Sequence, residues 1–338
     1  MRILYIGQYS DGTTSKMRAD QLKEIVKAEE FVVIDTHVPF YKTAALWRSF
    51  GFRFKIGPLI TSTNAFIKQE LENQEKFDLI WVDKGVFVSE KITKKLREST
   101  PKLVHFTPDM AFYENESKMF YKAMYLYDFV ITTKSPEKEE YLKRVKKDRL
   151  IITTQGFSKE NHTPKIEFVD KENSIAFIGL AEPNRFKMME AFLTEGIKIN
   201  VAGFGWEKFV EKHKDNTLLT FAGKKLMNEE YSKFISKSVM AWGALSKKFP
   251  EQHTTRTFEI PACKTALLTE YNQEIASFYK DDEVVFYNSE EELIEKIKYL
   301  FKNKKELKNI SERGYKRVNE GGYYYKAILK ELVLKVLK

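Results

Sequence analysis

The feature that most constrains this chain is an alternation that pauses halfway and begins again. Short aliphatic, β-branched or aromatic runs alternate with longer helical patterns as far as about residue 154, and the alternation restarts with Ser174-Ile-Ala-Phe-Ile-Gly179. Near-continuous apolar strands joined by helices must be buried on both sides, which means a parallel sheet with helices on each face. The first half predicts strands near residues 3–6, 31–35, 79–83, 103–106, 129–133 and 150–154. Helices fall between them, for example over 15–27, 63–73 and 136–145, the last with Ser135 as N-cap and Pro136 at the first helical position.

The polar, aperiodic stretch 156–165 reads as the linker. Beyond it the pattern predicts strands near 174–179, 197–202, 218–221, 239–242, 266–269 and 284–287, with helices from Asn184, near Trp206, from Asn228 and through 258–263. Ser289 and Glu292 form a capping box ahead of Leu293, Ile294, Ile297, Leu300 and Phe301, which share one helical face. The fold class is therefore α/β, with two Rossmann-like, doubly wound domains of similar size. The expected limits are 1–165 and 172–320, followed by a C-terminal helix over 321–338 that packs back toward the first domain.

At 338 residues, 43% hydrophobic and 31% charged, the chain suits two globular domains rather than a disordered tail. Its single cysteine, Cys263, allows no internal disulfide and no CxxC metal pair. With a strand read from the first residues and no apolar run near the ~20 residues of a spanning helix, a cytoplasmic protein is expected. Any membrane contact would be peripheral, at the inner face. The net charge of +9 is uneven, with eleven Lys or Arg against four Glu after residue 300, and that tail reads as a docking or membrane-proximal surface.

Several segments carry chemistry. The loop Gly7-Gln-Tyr-Ser-Asp-Gly12-Thr13-Thr14 follows the first strand and could present backbone N–H groups to a phosphate or sugar hydroxyl; an ordinary turn accounts for it equally well. Gly179 and the pair Gly203 and Gly205 end two strands of the second half, where an open sheet borders its ligand crevice. Arg185 stands in the first turn of a helix, where an acid would better suit the dipole; it faces either a phosphate or solvent. Glu251 and Glu259 lie eight positions apart, and Pro261 places Glu259 near a helix start, where its carboxylate can accept two hydrogen bonds from a vicinal diol such as ribose. Asp83 and Asp109 end strands of the first half, as crevice residues or as turn and cap aspartates. The acid-free segment 40–55 mixes cations with aromatics; its helical spacing packs Leu46, Trp47, Phe50 and Phe54 inward, with a membrane-surface or acidic-acceptor contact as the alternative.

The run Arg256-Thr-Phe-Glu-Ile-Pro-Ala-Cys263, with the Ala266 to Glu270 strand and Ser289-Glu-Glu-Glu-Leu293, closely resembles the C-terminal half of GT-B glycosyltransferases of the group-1 type. Within these it looks like the spore maturation protein-like branch. Ala176-Phe-Ile-Gly179 with Asn184-Arg185, and Gly203-Phe-Gly205-Trp206, are similar to that family's donor-side pattern. The resemblance implies a hexosyltransferase-like enzyme of cell-surface glycan synthesis with two domains facing each other across a crevice. The second would bind a nucleotide-sugar donor, UDP-sugar first, and the first a glycan, lipid-linked or protein acceptor.

On that resemblance Glu259 holds the donor ribose, Glu251 faces the donor sugar, and Arg185 and Arg256 neutralise the departing diphosphate, with backbone N–H groups of Thr254 and Thr255 beside them. Gly179, Gly203 and Gly205 complete the donor side, and Gly12, Thr13 and Thr14 face diphosphate or acceptor. Asp109, Glu251 and His253 are the catalytic candidates; a retaining course needs no dedicated base. Two departures from the family pattern stand out: Lys264 where a glycine is common after Ala-Cys, and Gly321-Gly322-Tyr323 where a histidine is frequent. No two aspartates are separated by one residue, so no metal and no other cofactor are expected. A basic nucleic-acid-binding protein and an inactive sugar-nucleotide-binding relative are the alternatives, and nucleic acid is the less expected partner because no recognised binding motif is present.

Overall fold

Twelve strands form close to where the apolar runs predict them, and every pairing between them is parallel. The computed structural model describes all 338 residues and divides them into two units: Met1–Thr154 with Tyr325–Lys338, and Gln155–Tyr324. The break falls at Thr154, ahead of the stretch read as linker. Phe157 is buried and donates its amide to the Tyr323 carbonyl at 3.2 Å, so this stretch is packed into the second unit.

The first unit holds β1 (Arg2–Gly7), β2 (Glu30–Asp35), β3 (Leu79–Asp83), β4 (Leu103–Thr107), β5 (Phe129–Thr132) and β6 (Leu150–Ile152), in the order β2-β1-β3-β4-β5-β6. Its helices are α1 (Thr14–Val26), α2 (His37–Lys42), α3 (Ala45–Phe54), α4 (Pro58–Leu71), α5 (Glu90–Glu98), α6 (Lys118–Ala123) and α7 (Lys138–Leu142). Successive side chains go to opposite faces, and both faces are apolar: Leu4, Ile6, Ile80 and Val82 enter one core, Ile3, Tyr5, Leu79 and Trp81 the other. Ahead of α7 the backbone makes a 3₁₀ turn over Ser135–Glu137, with Lys134 rather than Ser135 at the cap position, because Pro136 and its neighbours form a tighter coil.

The second unit holds β7 (Glu172–Ile178), β8 (Ile199–Ala202), β9 (Leu219–Phe221), β10 (Ser238–Trp242), β11 (Ala266–Glu270) and β12 (Val285–Tyr287), in the order β12-β11-β10-β7-β8-β9. Its helices are α8 (Pro183–Thr194), α9 (Glu207–Lys212), α10 (Glu229–Lys237), α11 (Arg256–Ala262), α12 (Gln273–Phe278), α13 (Glu290–Lys302) and α14 (Lys304–Glu320). Ser289 accepts from the Glu292 amide at 3.2 Å as the capping box requires, while the Glu292 carboxylate reaches the amide of Asn288 instead of Ser289. The last helix, α15 (Tyr325–Leu337), packs Tyr325, Leu329, Leu332, Val333 and Val336 into the core of the first unit with Ile3, Tyr5 and Leu22.

Two expectations change here. The basic tail is no single surface, since α14 belongs to the second unit and α15 to the first; Lys308, Arg313, Arg317 and Lys326 pair with Glu312, Asp282, Glu283 and Glu24. Of segment 40–55, Phe40 packs against Leu59, Ile60 and Phe87, but the residues expected to point inward do not. Leu46, Trp47, Phe50 and Phe54 are exposed, and the only buried residue of α3 is Gly51, which lies so close to the Leu59 side chain that a methyl group there would meet it at 2.6 Å.

Candidate functional site

In the second sheet the chain runs outward from β7 through β8 to β9, then returns to place β10 beside β7. Two loops therefore diverge at the carboxyl ends of β7 and β10, the switch point where open α/β sheets hold ligands. The loop after β7 leads through Gly179 and Glu182 into α8, and the loop after β10 leads through Ser246 and Glu251 into α11. Their side chains interlock. Arg185, 4% exposed, donates to the Leu180 carbonyl at 2.9 Å and lies 3.1 Å from Glu182; Glu182 accepts the Ser246 hydroxyl at 3.2 Å; Glu251 accepts the Ser246 amide at 3.2 Å.

Arg256 stands beside this group and donates to the Ala244 carbonyl at 3.0 Å. Burial, and after it the neighbouring Arg256 cation, lower the Arg185 guanidinium to about 10, against the pull of Glu182 and Glu251. Nε of Arg185, Nε of Arg256 and Oγ1 of Thr254 are all buried with no hydrogen-bond partner. Most buried polar atoms are satisfied, so two adjacent cations with spare N–H groups make a place that favours an anion. The solvent-facing alternative for Arg185 is overturned by its burial.

Glu259 lies in the first turn of α11 and is 5% exposed. Tyr231 donates to its Oε2 at 2.8 Å, and His162 Nε2 is 3.6 Å from its Oε1. The Ser158 amide donates to His162 Nδ1 at 3.0 Å, which leaves the proton on Nε2, facing the carboxylate; burial lowers this imidazole's pKa despite Glu259. The carboxylate is thus oriented from two sides, with lone pairs remaining on both oxygens. Pro261 sits in the later part of α11, not near its start. The carbonyl its missing N–H would have served, that of Thr257, accepts the Tyr279 hydroxyl at 2.6 Å instead.

Other predicted residues have local explanations. Gly203 has φ +131°, and a Cβ there would lie 2.0 Å from the Gly179 carbonyl oxygen. Gly205 has φ +88° with Ala181 against it, and the Trp206 indole donates to the Gly179 carbonyl at 2.9 Å. Close approach of the two strand-end loops accounts for Gly203 and Gly205, while a Cβ on Gly179 would meet the Phe177 ring at 3.0 Å. The Thr254 amide is taken by Thr257 Oγ1 at 3.2 Å, so it is not offered to a phosphate; Thr255 occupies the N-cap position of α11 in helical conformation. His253 is 2% exposed, accepts the Gln155 amide on Nε2 at 2.9 Å and pairs with Glu274 through Nδ1. With both nitrogens engaged inside the protein it positions this segment and is not placed to move a substrate proton. Lys264 has φ +53°, filling the left-handed position after α11 where glycine is usual, and its amine is directed to Glu312 at 3.7 Å.

In the first unit the loop after β1 reads as a turn. Gly12 has φ +73°, Thr13 caps α1 by accepting the Lys16 amide at 3.3 Å and donates to the Ser10 carbonyl at 2.7 Å, and Thr14 begins the helix. Asp83 is neither turn nor cap: it is buried in a two-bond pair with Arg18, both contacts 2.9 Å. Asp109 is 2.7 Å from Lys84. Burial opposes its charge, but Lys84, with Lys134 and Arg18 nearby, outweighs burial and holds the carboxyl below its ordinary pKa, which makes it a weak base. Sequence reasoning missed Glu182, Ser246, Tyr231, His162 and Glu274. Glu182 precedes Pro183 at a helix start, the one local signal among them.

Residues 185–333 match a family model described as glycosyl transferase-like. Anabaena HepE, crystallised with UDP and glucose, superposes with a TM-score of 0.67 at 11% identity, covering 100% of this chain and 99% of that one. Sucrose-phosphate synthase from Thermosynechococcus elongatus gives 0.71 at 13% identity, with 99% and 98% covered, and the lipopolysaccharide outer core galactosyltransferase WaaB gives 0.60 at 12%, with 99% of both covered. No curated protein matches the chain. The fold is GT-B, and the family match with these neighbours supports a glycosyltransferase of that type.

Proposed function

We propose that the chain moves a sugar from a nucleoside-diphosphate sugar to an acceptor, with the donor held at the β7–β10 switch point of the second unit. The observation that carries this is the pair Arg185 and Arg256, close enough that each cation disfavours the other, with an unsatisfied N–H on each. A diphosphate supplies the missing acceptors, and its charge grows as the sugar leaves, which is when such donors accelerate the reaction. Glu259, oriented by Tyr231 and His162, accepts the ribose hydroxyls. Glu251 faces the donor sugar.

UDP is the first choice of nucleotide because HepE is also crystallised with UDP-glucose. The rest of the proposal is a retaining, metal- and cofactor-independent transfer in the cytoplasm, within the spore maturation protein-like branch indicated by Arg256 to Cys263. The acceptor is a glycan, lipid-linked or protein hydroxyl. Lys264, a departure from the family pattern, has a structural role in ending α11 and supplies no argument against turnover. The test is a thermal-shift panel of nucleoside diphosphates and their sugars. A selective rise in melting temperature with one base identifies the donor, because a ligand bound only by the folded chain stabilises it by mass action; no shift with any nucleotide defeats the proposal.

A further inference from the structure

Eight of the eighteen large apolar side chains that the protein exposes fall between Val38 and Ile56, and this crowding is not explained by donor binding in the other unit. On α3, Leu46, Trp47, Phe50 and Phe54 are 78%, 48%, 39% and 54% exposed. At 100° per residue these four fall within one third of the helix circumference. Their rings are neighbours: Trp47 and Phe50 have centroids 5.9 Å apart, Phe50 and Phe54 4.8 Å. Next to this stripe, about 40° beyond Trp47 on the same count, Gly51 anchors the helix on Leu59 of α4. An exposed apolar stripe of this kind marks a surface that meets another phase or partner.

Charge selects the partner. Residues 37–69 contain no aspartate or glutamate and carry Lys42, Arg48, Arg53, Lys55 and Lys68. Lys42, Arg48, Arg53 and Lys55 form no ion pair; Arg48 and Lys55 lie over the rings of Phe40 and Phe52 at 5.5 and 4.5 Å. No helix of the protein is long and apolar enough to cross a membrane. We propose that α3 is a monotopic docking surface for an anionic lipid bilayer, with Leu46, Trp47, Phe50 and Phe54 entering the interface and Arg48, Arg53 and Lys55 meeting headgroup phosphates. This inference is independent of the donor site.

Of the four tryptophans Trp47 alone is exposed; Trp81, Trp206 and Trp242 are at most 2% exposed, so a change in emission on adding lipid reports Trp47. The experiment mixes the full chain at low ionic strength with vesicles of phosphatidylcholine alone or with 30–40% phosphatidylglycerol (on the order of a strongly anionic leaflet), using brominated acyl chains as quenchers. The expected result is a blue shift and quenching with anionic vesicles only, reversed by salt. Phe50→Ser with Phe54→Ser, and separately Arg48→Gln with Arg53→Gln, should each weaken partition by about tenfold or more while leaving a UDP-induced thermal shift unchanged. Absence of quenching with anionic vesicles overturns the proposal. So does a lipid-independent dimer, seen by light scattering, that both double variants dissolve, for then α3 meets a second copy.

Discussion

Replacing Arg256 with methionine separates a binding role from a structural one. Lowering the Arg185 guanidinium to about 10 corresponds to about 3 kcal/mol against the cation, with burial the largest cause, the Arg256 neighbour next, and Glu182 and Glu251 opposing both. Removing Arg256 returns the neighbour's share and forfeits its hydrogen bond to Ala244, about 1 kcal/mol, so the stability of the free protein should change by no more than about 1 kcal/mol. Binding should change much more. A charge-assisted contact to a diphosphate contributes about 2 kcal/mol, which is a roughly 30-fold rise in Kd for UDP. Isothermal titration with UDP and with uridine distinguishes the cases, since uridine lacks the phosphates and should bind both proteins alike. Arg256→Lys should recover part of the loss. A folded Arg256→Met protein whose UDP affinity stays within about threefold of the parent would refute the assignment, as would equal losses for UDP and uridine.

Four further outcomes are expected. Glu259→Gln should weaken uridine as well as UDP by roughly 10- to 100-fold, the value of a charge-assisted contact, as read by the same titrations. Gly203→Ala should cost about 3 kcal/mol or more in chemical denaturation, because its Cβ would occupy the space of the Gly179 carbonyl and its φ of +131° excludes L side chains. Lys264→Gly should raise stability by about 0.5–1 kcal/mol by relieving a left-handed lysine, with transfer activity unaffected. Burial brings the Lys171 ammonium down to about 8, so from about pH 8 to 10.5 the unfolded chain holds a proton that the folded one lacks and stability rises with pH. Lys171→Met should therefore stabilise the protein by about 1–2 kcal/mol at pH 7, after loss of the bond to Thr265, and the gain should vanish near pH 10.5 in urea titrations.

Much of the scaffold was legible because its signals are local. A continuous apolar strand such as 79–83 can lie only where both sheet faces are covered, and Ser289 needs only Glu292 three residues on to mark a helix start. Helical spacing failed on α3 for a related reason: periodicity groups Leu46, Trp47, Phe50 and Phe54 on one face, yet nothing local says whether that face points to core or water. There the anchor is Gly51, whose lack of a side chain lets α4 approach.

The sequence by itself determined the two doubly wound sheets and offered Arg185, Arg256 and Glu259 as candidates through short motifs, although Pro261, the local mark of a helix start, lies late in α11. Only the tertiary structure decided which of them share an environment. Arg185 and Arg256 stand 71 positions apart in the chain and become neighbours because β10 returns to lie beside β7. That same return supplies Glu182 and Ser246, buries His253 against Glu274, and brings Tyr231 and His162 to Glu259 from distant segments. Burial, charge and hydrogen-bond satisfaction depend on what is near in space, and a parallel sheet makes its neighbours by long crossovers that no local pattern encodes.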